Sequence, residues 1–191
     1  MKKWLAHWFL RLGGWEIGGP PPADRRFVLI AAPHTSNWDL AYMLAFGTIF
    51  DLKISWLAKH TLFYPPMGWI MRALGGIPIV RYKNSNVVDA MVSEFNTRSY
   101  LVLAVPTEGT RSRVKYWKSG FYHIAMGAGV PIVPSYLDYG KKQAGFAQPL
   151  IPTGDVTADM QYLRDIYAGK MGKFPELSGP IRLKEEGEEN K

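Results

Sequence analysis

The run Arg26-Phe27-Val28-Leu29-Ile30-Ala31, then Ala32-Pro33-His34-Thr35-Ser36-Asn37-Trp38-Asp39, then Leu40-Ala41-Tyr42-Met43-Leu44 decides how this chain is built. The first segment is short, apolar and rich in β-formers, which predicts a buried strand, and Leu40 to Leu44 predicts a helix. The residues between them form a strand-to-helix junction. His34 therefore sits just past the carboxyl end of a strand, the edge at which open α/β sheets bind ligands.

Two readings of this junction stand side by side. A general base needs a pKa near neutrality, which imidazole supplies, and a second group to hold one tautomer, a role open to the Asp39 carboxylate. Equally, Ser36-x-x-Asp39 before an apolar run is a helix capping box, in which hydroxyl and carboxylate satisfy free N–H groups at the helix start. The readings are compatible, because a cap would hold Asp39 in place beside His34.

Working outward, the same alternation repeats. Lys53-Ile54-Ser55-Trp56-Leu57-Ala58 reads as a second strand, Lys59 to Pro66 as a loop, and Met67 to Leu74 as a short helix ended by Gly75-Gly76. Ile77-Pro78-Ile79-Val80 reads as an edge strand on account of Pro78, with Arg81 at its carboxyl end. Val88, Met91, Val92 and Phe95 mark the buried stripe of a helix. Tyr100 to Val105 is the clearest strand and runs into Pro106-Thr107-Glu108-Gly109-Thr110-Arg111-Ser112-Arg113. Gly120 to Gly127 reads as a helix, Val130-Pro131-Ile132-Val133-Pro134 as a strand interrupted by prolines, and Asp155 to Met171 as a helix capped by Asp155 or Thr157. Strands alternating with helices from residue 26 to about 137 predict an α/β fold with a largely parallel, mixed sheet flanked by helices. A chain of 191 residues fits a single domain of that kind.

The N-terminal segment 1–17 reads as an amphipathic helix. At about 100° per residue, Trp4, Leu5, Trp8, Phe9, Leu12 and Trp15 fall within an arc of about 140°, with Lys3, His7 and Arg11 facing away. Such a helix can lie in a membrane interface or pack on the protein's own core, and the pattern leaves both open. Gly18-Gly19-Pro20-Pro21-Pro22 makes residues 18–25 a stiff linker. Residues 176–191, ending in Lys184-Glu185-Glu186-Gly187-Glu188-Glu189-Asn190-Lys191, read as a charged, disordered tail.

A net charge of +7 and a pI near 9.5 point to an anionic partner. With no Cys there is no disulfide framework and no thiolate chemistry, and four His without Cys count against a structural zinc site. No apolar run reaches the roughly 18 residues that span a bilayer. The G-x-S-x-G, H-E-x-x-H and G-x-x-x-x-G-K-[ST] signatures do not occur.

If the alternation holds, His34 with Asp39, Arg81, and Glu108 with Arg111 and Arg113 all follow strand carboxyl ends and converge on one sheet edge. Glu108-Gly109-Thr110-Arg111 combines a flexible residue with a hydroxyl, a backbone N–H and a guanidinium, which suits phosphate oxygens, although a solvated turn has the same composition.

Four ordered blocks then carry a resemblance: His34-x4-Asp39, Gly76-Ile77-Pro78-Ile79-Val80-Arg81, Glu108-Gly109-Thr110-Arg111-Ser112 and Val130-Pro131-Ile132-Val133-Pro134. In sequence and order they resemble the glycerophospholipid acyltransferase family, in particular its 1-acylglycerol-3-phosphate (lysophosphatidate) branch. The likeness covers about residues 29 to 137 and makes 26–175 the acyltransferase domain. Thr107 stands where the family has Pro, and Val80 where it has a polar residue.

The resemblance implies that His34 takes the proton of an acceptor hydroxyl as it attacks an acyl thioester, with Asp39 orienting the ring. It implies that Arg81, Glu108, Gly109, Thr110 and Arg111 hold the phosphate of a lysophospholipid acceptor, and that Val130, Pro131 and Pro134 line the acyl-donor site. Acyl-CoA or acyl carrier protein is the implied co-substrate, with no metal and no further cofactor. The implied location is the cytoplasmic face of an anionic membrane, bound peripherally through the first helix, with Phe63, Tyr64 and Trp69 deepening the contact. Nucleic acid is not an expected partner under this reading. Two readings compete: acyl transfer to another acceptor, such as a lyso-aminolipid or a glycolipid, and a non-catalytic basic domain that uses Arg81, Arg111, Arg113, Lys115 and Lys118, with Tyr116 and Trp117 stacking on single-stranded nucleic acid or the basic groups meeting anionic lipid.

Overall fold

The computed structural model describes residues 2–79 and 84–187. Its elements in chain order are α1 (Lys3–Leu12), β1 (Glu16–Ile17), β2 (Arg26–Ala31), α2 (Trp38–Ile49), β3 (Ile54–Lys59), α3 (Met67–Ala73) and β4 (Gly76–Ile79). They continue as α4 (Asn84–Thr97), β5 (Leu101–Pro106), α5 (Gly120–Ala128), β6 (Ile132–Asp138), β7 (Gln143–Phe146) and α6 (Val156–Tyr167). The strands form one seven-stranded sheet in the order β1-β7-β6-β2-β5-β3-β4. Among the described strand pairs, only β6–β7 is antiparallel. This is the α/β fold with a largely parallel mixed sheet that the alternation predicts.

The central strands are apolar throughout because both of their faces are covered. Val28, Ile30, Leu101, Leu103, Val105 and Ile132 point to one face and join a large core with residues of α4, α5 and α6. Phe27, Leu29, Val102, Ala104 and Val133 point to the other, under α2 and α3. The alternation is the period of two that a strand imposes. β4 is an edge strand, where the missing N–H of Pro78 costs least.

β2 lies between β5 and β6, parallel to both, with Ala31 level with Pro106 and with Ser135. The chain segments leaving these three strands therefore emerge side by side at one end of the sheet. That register brings residues more than a hundred positions apart within reach of one another.

Four expectations change. The strand expected over Val130–Pro134 starts at Ile132 and runs on to Asp138, and it tolerates Pro134 inside the sheet. Pro134 is level with Ile30. The linker 18–25 is anchored at its start: Gly18 N–H donates to the Ala144 carbonyl and Phe146 N–H to the Gly19 carbonyl, beside the β1–β7 pair. Part of the tail is packed: Leu183 is buried in the core and bridges to Trp117, and Glu186 pairs with Arg164 at 2.7 Å. α6 ends at Tyr167 and is capped by Asp155, whose carboxylate accepts the Ala158 N–H at 3.1 Å.

α1 docks by an edge that the helical-wheel reading did not single out. Ala6 and Leu10 are buried against α2, while Trp4 and Trp8 remain 64% and 60% exposed, beside exposed Leu5 and Leu12. Small and slender residues allow close helix approach, so the aromatic arc is left facing outward. Trp15 departs from that arc: beyond the turn at Gly13 and Gly14 it folds inward and is buried between Tyr42 and Tyr139. No helix among the described residues is long and apolar enough to cross a membrane.

Candidate active site

The junction after β2 is organised by one carboxylate. Asp39, on the first turn of α2, is only 6% exposed. Its Oδ2 accepts the backbone N–H groups of Thr35 at 3.1 Å and Ser36 at 3.0 Å and lies 3.0 Å from His34 Nδ1. Ser36 Oγ in turn accepts the Trp38 N–H at 3.2 Å. Asp39 thus holds the imidazole and the two loop N–H groups that precede the helix, while Ser36 Oγ takes the helix-start N–H of Trp38 and the N-cap residue, Asn37, makes no side-chain cap bond. Because Nδ1 faces the carboxylate, it carries the proton, and Nε2 is the ring nitrogen left to accept one.

Asp39 Oδ1 has a separate partner, the Tyr139 hydroxyl, at 2.7 Å. Tyr139 follows β6 directly. The sequence reading missed it because it ended this strand at Pro134; a strand extended to Asp138 would have put Tyr139 on the same edge as His34.

The loop after β5 supplies the neighbouring wall. Gly109 takes a left-handed conformation, φ 65°, which bends the chain immediately after Glu108 and turns Thr110 and Arg111 outward. The Arg111 guanidinium donates to Asn37 Oδ1, linking this loop to the His34 loop. Glu108 points the other way. It is buried, its Oε1 accepts the His34 backbone N–H at 3.2 Å, and its Oε2 accepts the Thr107 hydroxyl at 3.1 Å. Burial raises its carboxyl above the ordinary glutamate value, and the hydrogen bonds from the backbone and from Thr107 only partly offset this.

A cavity of about 500 Å³ runs from these loops between the sheet and α2 and α3. At one end it is lined by His34, Asp39, Gly109, Thr110 and Arg111; further in, by Leu40, Met43, Phe46, Ile54, Trp56 and Met71. One end is thus polar and partly exposed and the rest hydrocarbon-like.

Of the residues singled out from sequence, His34, Asp39, Gly109, Thr110 and Arg111 meet around this cavity. Glu108 is placed beneath the His34 backbone, facing away from the cavity. Val130 is buried in the core and Pro131 half-buried just before β6, Pro134 lies within β6, and none of the three lines the cavity, to which β6 contributes Ser135, Tyr136 and Leu137. Arg81 and Val80 lie outside the described residues. Two aromatic assignments are corrected. Trp117 is in the core, 4% exposed, where it cannot stack on a nucleotide base. Phe63 is also buried, whereas Tyr64 and Trp69 are exposed.

The chain is 29% identical over 157 residues to the chloroplastic 1-acyl-sn-glycerol-3-phosphate acyltransferase BAT2 of Brassica napus, covering 78% of this chain and 43% of that protein. It is 30% identical over 142 residues to the 1-acyl-sn-glycerol-3-phosphate acyltransferase of Salmonella typhimurium, covering 68% of this chain and 57% of that one. The chain therefore spans about half the length of these curated relatives. Its fold is similar to the crystal structure of the 1-acyl-sn-glycerophosphate (LPA) acyltransferase PlsC from Thermotoga maritima, with a TM-score of 0.59 at 20% identity over 86% of this chain and 74% of that one. The family model described as Acyltransferase matches residues 20–138, which include the His34–Asp39 pair and the Glu108–Arg111 loop, and on that match the chain belongs to the acyltransferase family.

Proposed function

We propose that this protein moves a fatty acyl group from a thioester to the free hydroxyl of a lysophospholipid of the 1-acylglycerol-3-phosphate type. The observation that carries this reading is the His34 Nδ1–Asp39 Oδ2 contact of 3.0 Å at the polar end of an apolar cavity large enough for a lipid chain. In the reaction, His34 Nε2 takes the acceptor hydroxyl proton while the oxygen attacks the thioester carbonyl. The tetrahedral intermediate collapses, the C–S bond breaks, and the imidazolium returns the proton to the leaving thiolate. Asp39 stabilises the imidazolium throughout. Acyl-CoA and acyl carrier protein are both suitable donors, and no metal takes part in this scheme.

Arg111 and Thr110 on the rim, with the Gly109 backbone, are the groups that would meet the acceptor phosphate, because a guanidinium matches phosphate with parallel hydrogen bonds. Since acceptor and product are lipids, the enzyme works at a bilayer surface. The exposed Trp4, Trp8 and Leu12 of α1 are suited to sit among headgroups, with Lys2, Lys3 and Arg11 near their phosphates. α3 offers a second apolar patch of Met67, Trp69 and Ile70.

Acyl transfer from a labelled long-chain acyl-CoA to a panel of lysolipids tests the reading. The expected result is product with 1-acylglycerol-3-phosphate, lost in His34→Ala, and a higher acceptor KM in Arg111→Ala. Transfer to a neutral lysolipid alone would sink the phosphate assignment, and no transfer to any acceptor would sink the reaction.

A further inference from the structure

We infer that Tyr139 is a positioning residue that fixes the Asp39 carboxylate and, through it, the ring of His34. The inference rests on the acyl-transfer reading for its consequence in rate. Its structural content stands on geometry alone.

Asp39 divides its two oxygens between different tasks. Oδ2 gathers two backbone N–H groups and His34 Nδ1; Oδ1 has the Tyr139 hydroxyl at 2.7 Å. A buried carboxylate oxygen left without a donor is costly, so without the hydroxyl the carboxylate would rotate in search of one and carry Oδ2 away from His34 Nδ1. With Tyr139 in place, Oδ1 is satisfied and Oδ2 stays on His34. The hydroxyl is a dependable donor: burial first, then its bond to Asp39, hold the phenol well above its ordinary titration range, so it keeps its proton.

Tyr139 is itself held from several sides. Its backbone N–H donates to the Met171 carbonyl at 2.9 Å. The adjoining Asp138, buried, accepts the N–H groups of Gly140 at 3.0 Å, Lys141 at 3.3 Å and Met171 at 3.3 Å, which fixes the turn. The ring meets Trp15 edge-on at 4.9 Å and Tyr42 at 6.1 Å. The ionisable groups around the contact are His34 and Glu108 from the two loops, Tyr42 from α2, and Lys142, whose ammonium lies 6.0 Å from the Tyr139 ring centre. Tyr139 lies just past the residues that match the family model, so that match does not account for it. Through Trp15, which directly follows α1 and its turn, the same ring is joined to the segment that carries the exposed tryptophans.

The test is Tyr139→Phe, which keeps the ring and its packing and removes the hydroxyl. With oleoyl-CoA and 1-oleoylglycerol-3-phosphate, kcat should fall about tenfold or more, the scale of losing one hydrogen bond to a charged group. The acceptor KM should stay within about twofold, since no acceptor contact is removed. Nitrogen NMR of isotope-labelled histidine, assigned with a His34→Asn variant, gives a readout that needs no activity. His34 should show the Nδ1-protonated tautomer in the wild-type protein and a mixture in Tyr139→Phe. An unchanged His34 signal overturns the inference whatever the rate does, and so does a changed signal with an unchanged kcat where transfer is measurable. A protein that transfers nothing to any acceptor fails the acyltransferase reading alone, because the NMR comparison still decides whether Tyr139 sets the ring. Should Tyr139→Phe fail to fold, 3-fluorotyrosine at position 139 keeps the hydrogen bond and changes its strength. The His34 signal should then move, and an unmoved signal overturns the proposal.

Discussion

The two faces of the sheet are packed differently. Under α4, α5 and α6 the side chains of β2, β5 and β6 join one continuous core that includes Phe95, Phe121, Met160 and Leu163, each essentially without solvent contact. Under α2 and α3 the same strands face two smaller clusters and the cavity of about 500 Å³. That second side also carries α1 with its exposed tryptophans. One face supplies stability. The other gives up close packing, and with it the dispersion contacts of a filled core, for an apolar space that ends at His34 and Asp39.

The sharpest way to break this comparison is to remove the chemistry and keep the fold. His34→Ala should lower acyl transfer by about 10²–10⁴, the usual worth of a general base, with a melting temperature close to wild type. A His34→Ala protein that is folded and retains more than about a tenth of the activity contradicts the role of that face.

Cavity-forming substitutions separate the faces by stability. Phe121→Ala, on the solid face, should cost about 3–5 kcal/mol in chemical denaturation. Met43→Ala, on the cavity wall, should cost less than about 2 kcal/mol, because it enlarges a space that already exists. Equal costs would mean that the hollow face is packed as tightly as the other. Met43→Trp sharpens the point from the opposite direction: by filling the cavity it should shift donor preference toward shorter acyl chains, read from competition between acyl-CoA lengths.

The outward face of α1 should matter to binding more than to folding. Trp4→Ala/Trp8→Ala should reduce sedimentation with anionic liposomes and slow transfer to bilayer lysolipid, while unfolding free energy changes by no more than about 0.5 kcal/mol per site. Transfer to a soluble short-chain acceptor should be spared. Equal losses on both acceptors would place these residues in the core's service instead.

The smallest expected effect concerns Glu108, which sits between the faces under the His34 loop. Its carboxyl is raised above the ordinary value of 4.5 by burial, so the fold favours the protonated form. That contribution is complete below the unfolded value and is lost as pH rises through the raised folded value. Glu108→Gln imitates the protonated acid and can still accept the His34 N–H. Its melting temperature should match wild type near about pH 4 and exceed it increasingly toward neutrality, by about 2–4 °C for each kcal/mol recovered. A constant difference at all pH values would show that the carboxyl titrates alike in the folded and unfolded protein and is not raised by burial.

Much of the site could be read in advance because its parts are local. His34 and Asp39 are five residues apart, and the strand-to-helix junction that joins them is written in the apolar runs on either side. The Gly109 turn was visible as a glycine between polar residues after the strongest strand. Glu108 was legible as a site residue by position, but its direction was not. A carboxylate beside a phosphate-binding turn and one buried beneath a neighbouring loop are spelled identically, and the 3.2 Å contact with the His34 backbone depends on β2 and β5 lying side by side. Trp117 and Leu183 were equally opaque. Each sits in a charged stretch, and only their mutual bridge shows that both are core residues.

By itself, then, the sequence determined the helices and the strands between residues 26 and 134, though not β1 or β7, together with their alternation, the largely parallel sheet and the pairing of an imidazole with a carboxylate, since these follow from periodicity and short-range hydrogen bonding. Tertiary structure alone decided that β6 runs on to Asp138 beside β2, that Tyr139 thereby reaches Asp39, that α1 docks through Ala6 and Leu10 with Trp4 and Trp8 outward, and that one sheet face stays hollow. These outcomes rest on contacts between residues distant in the chain, where strand register and available volume determine which side chains meet. Neither quantity has a local signature.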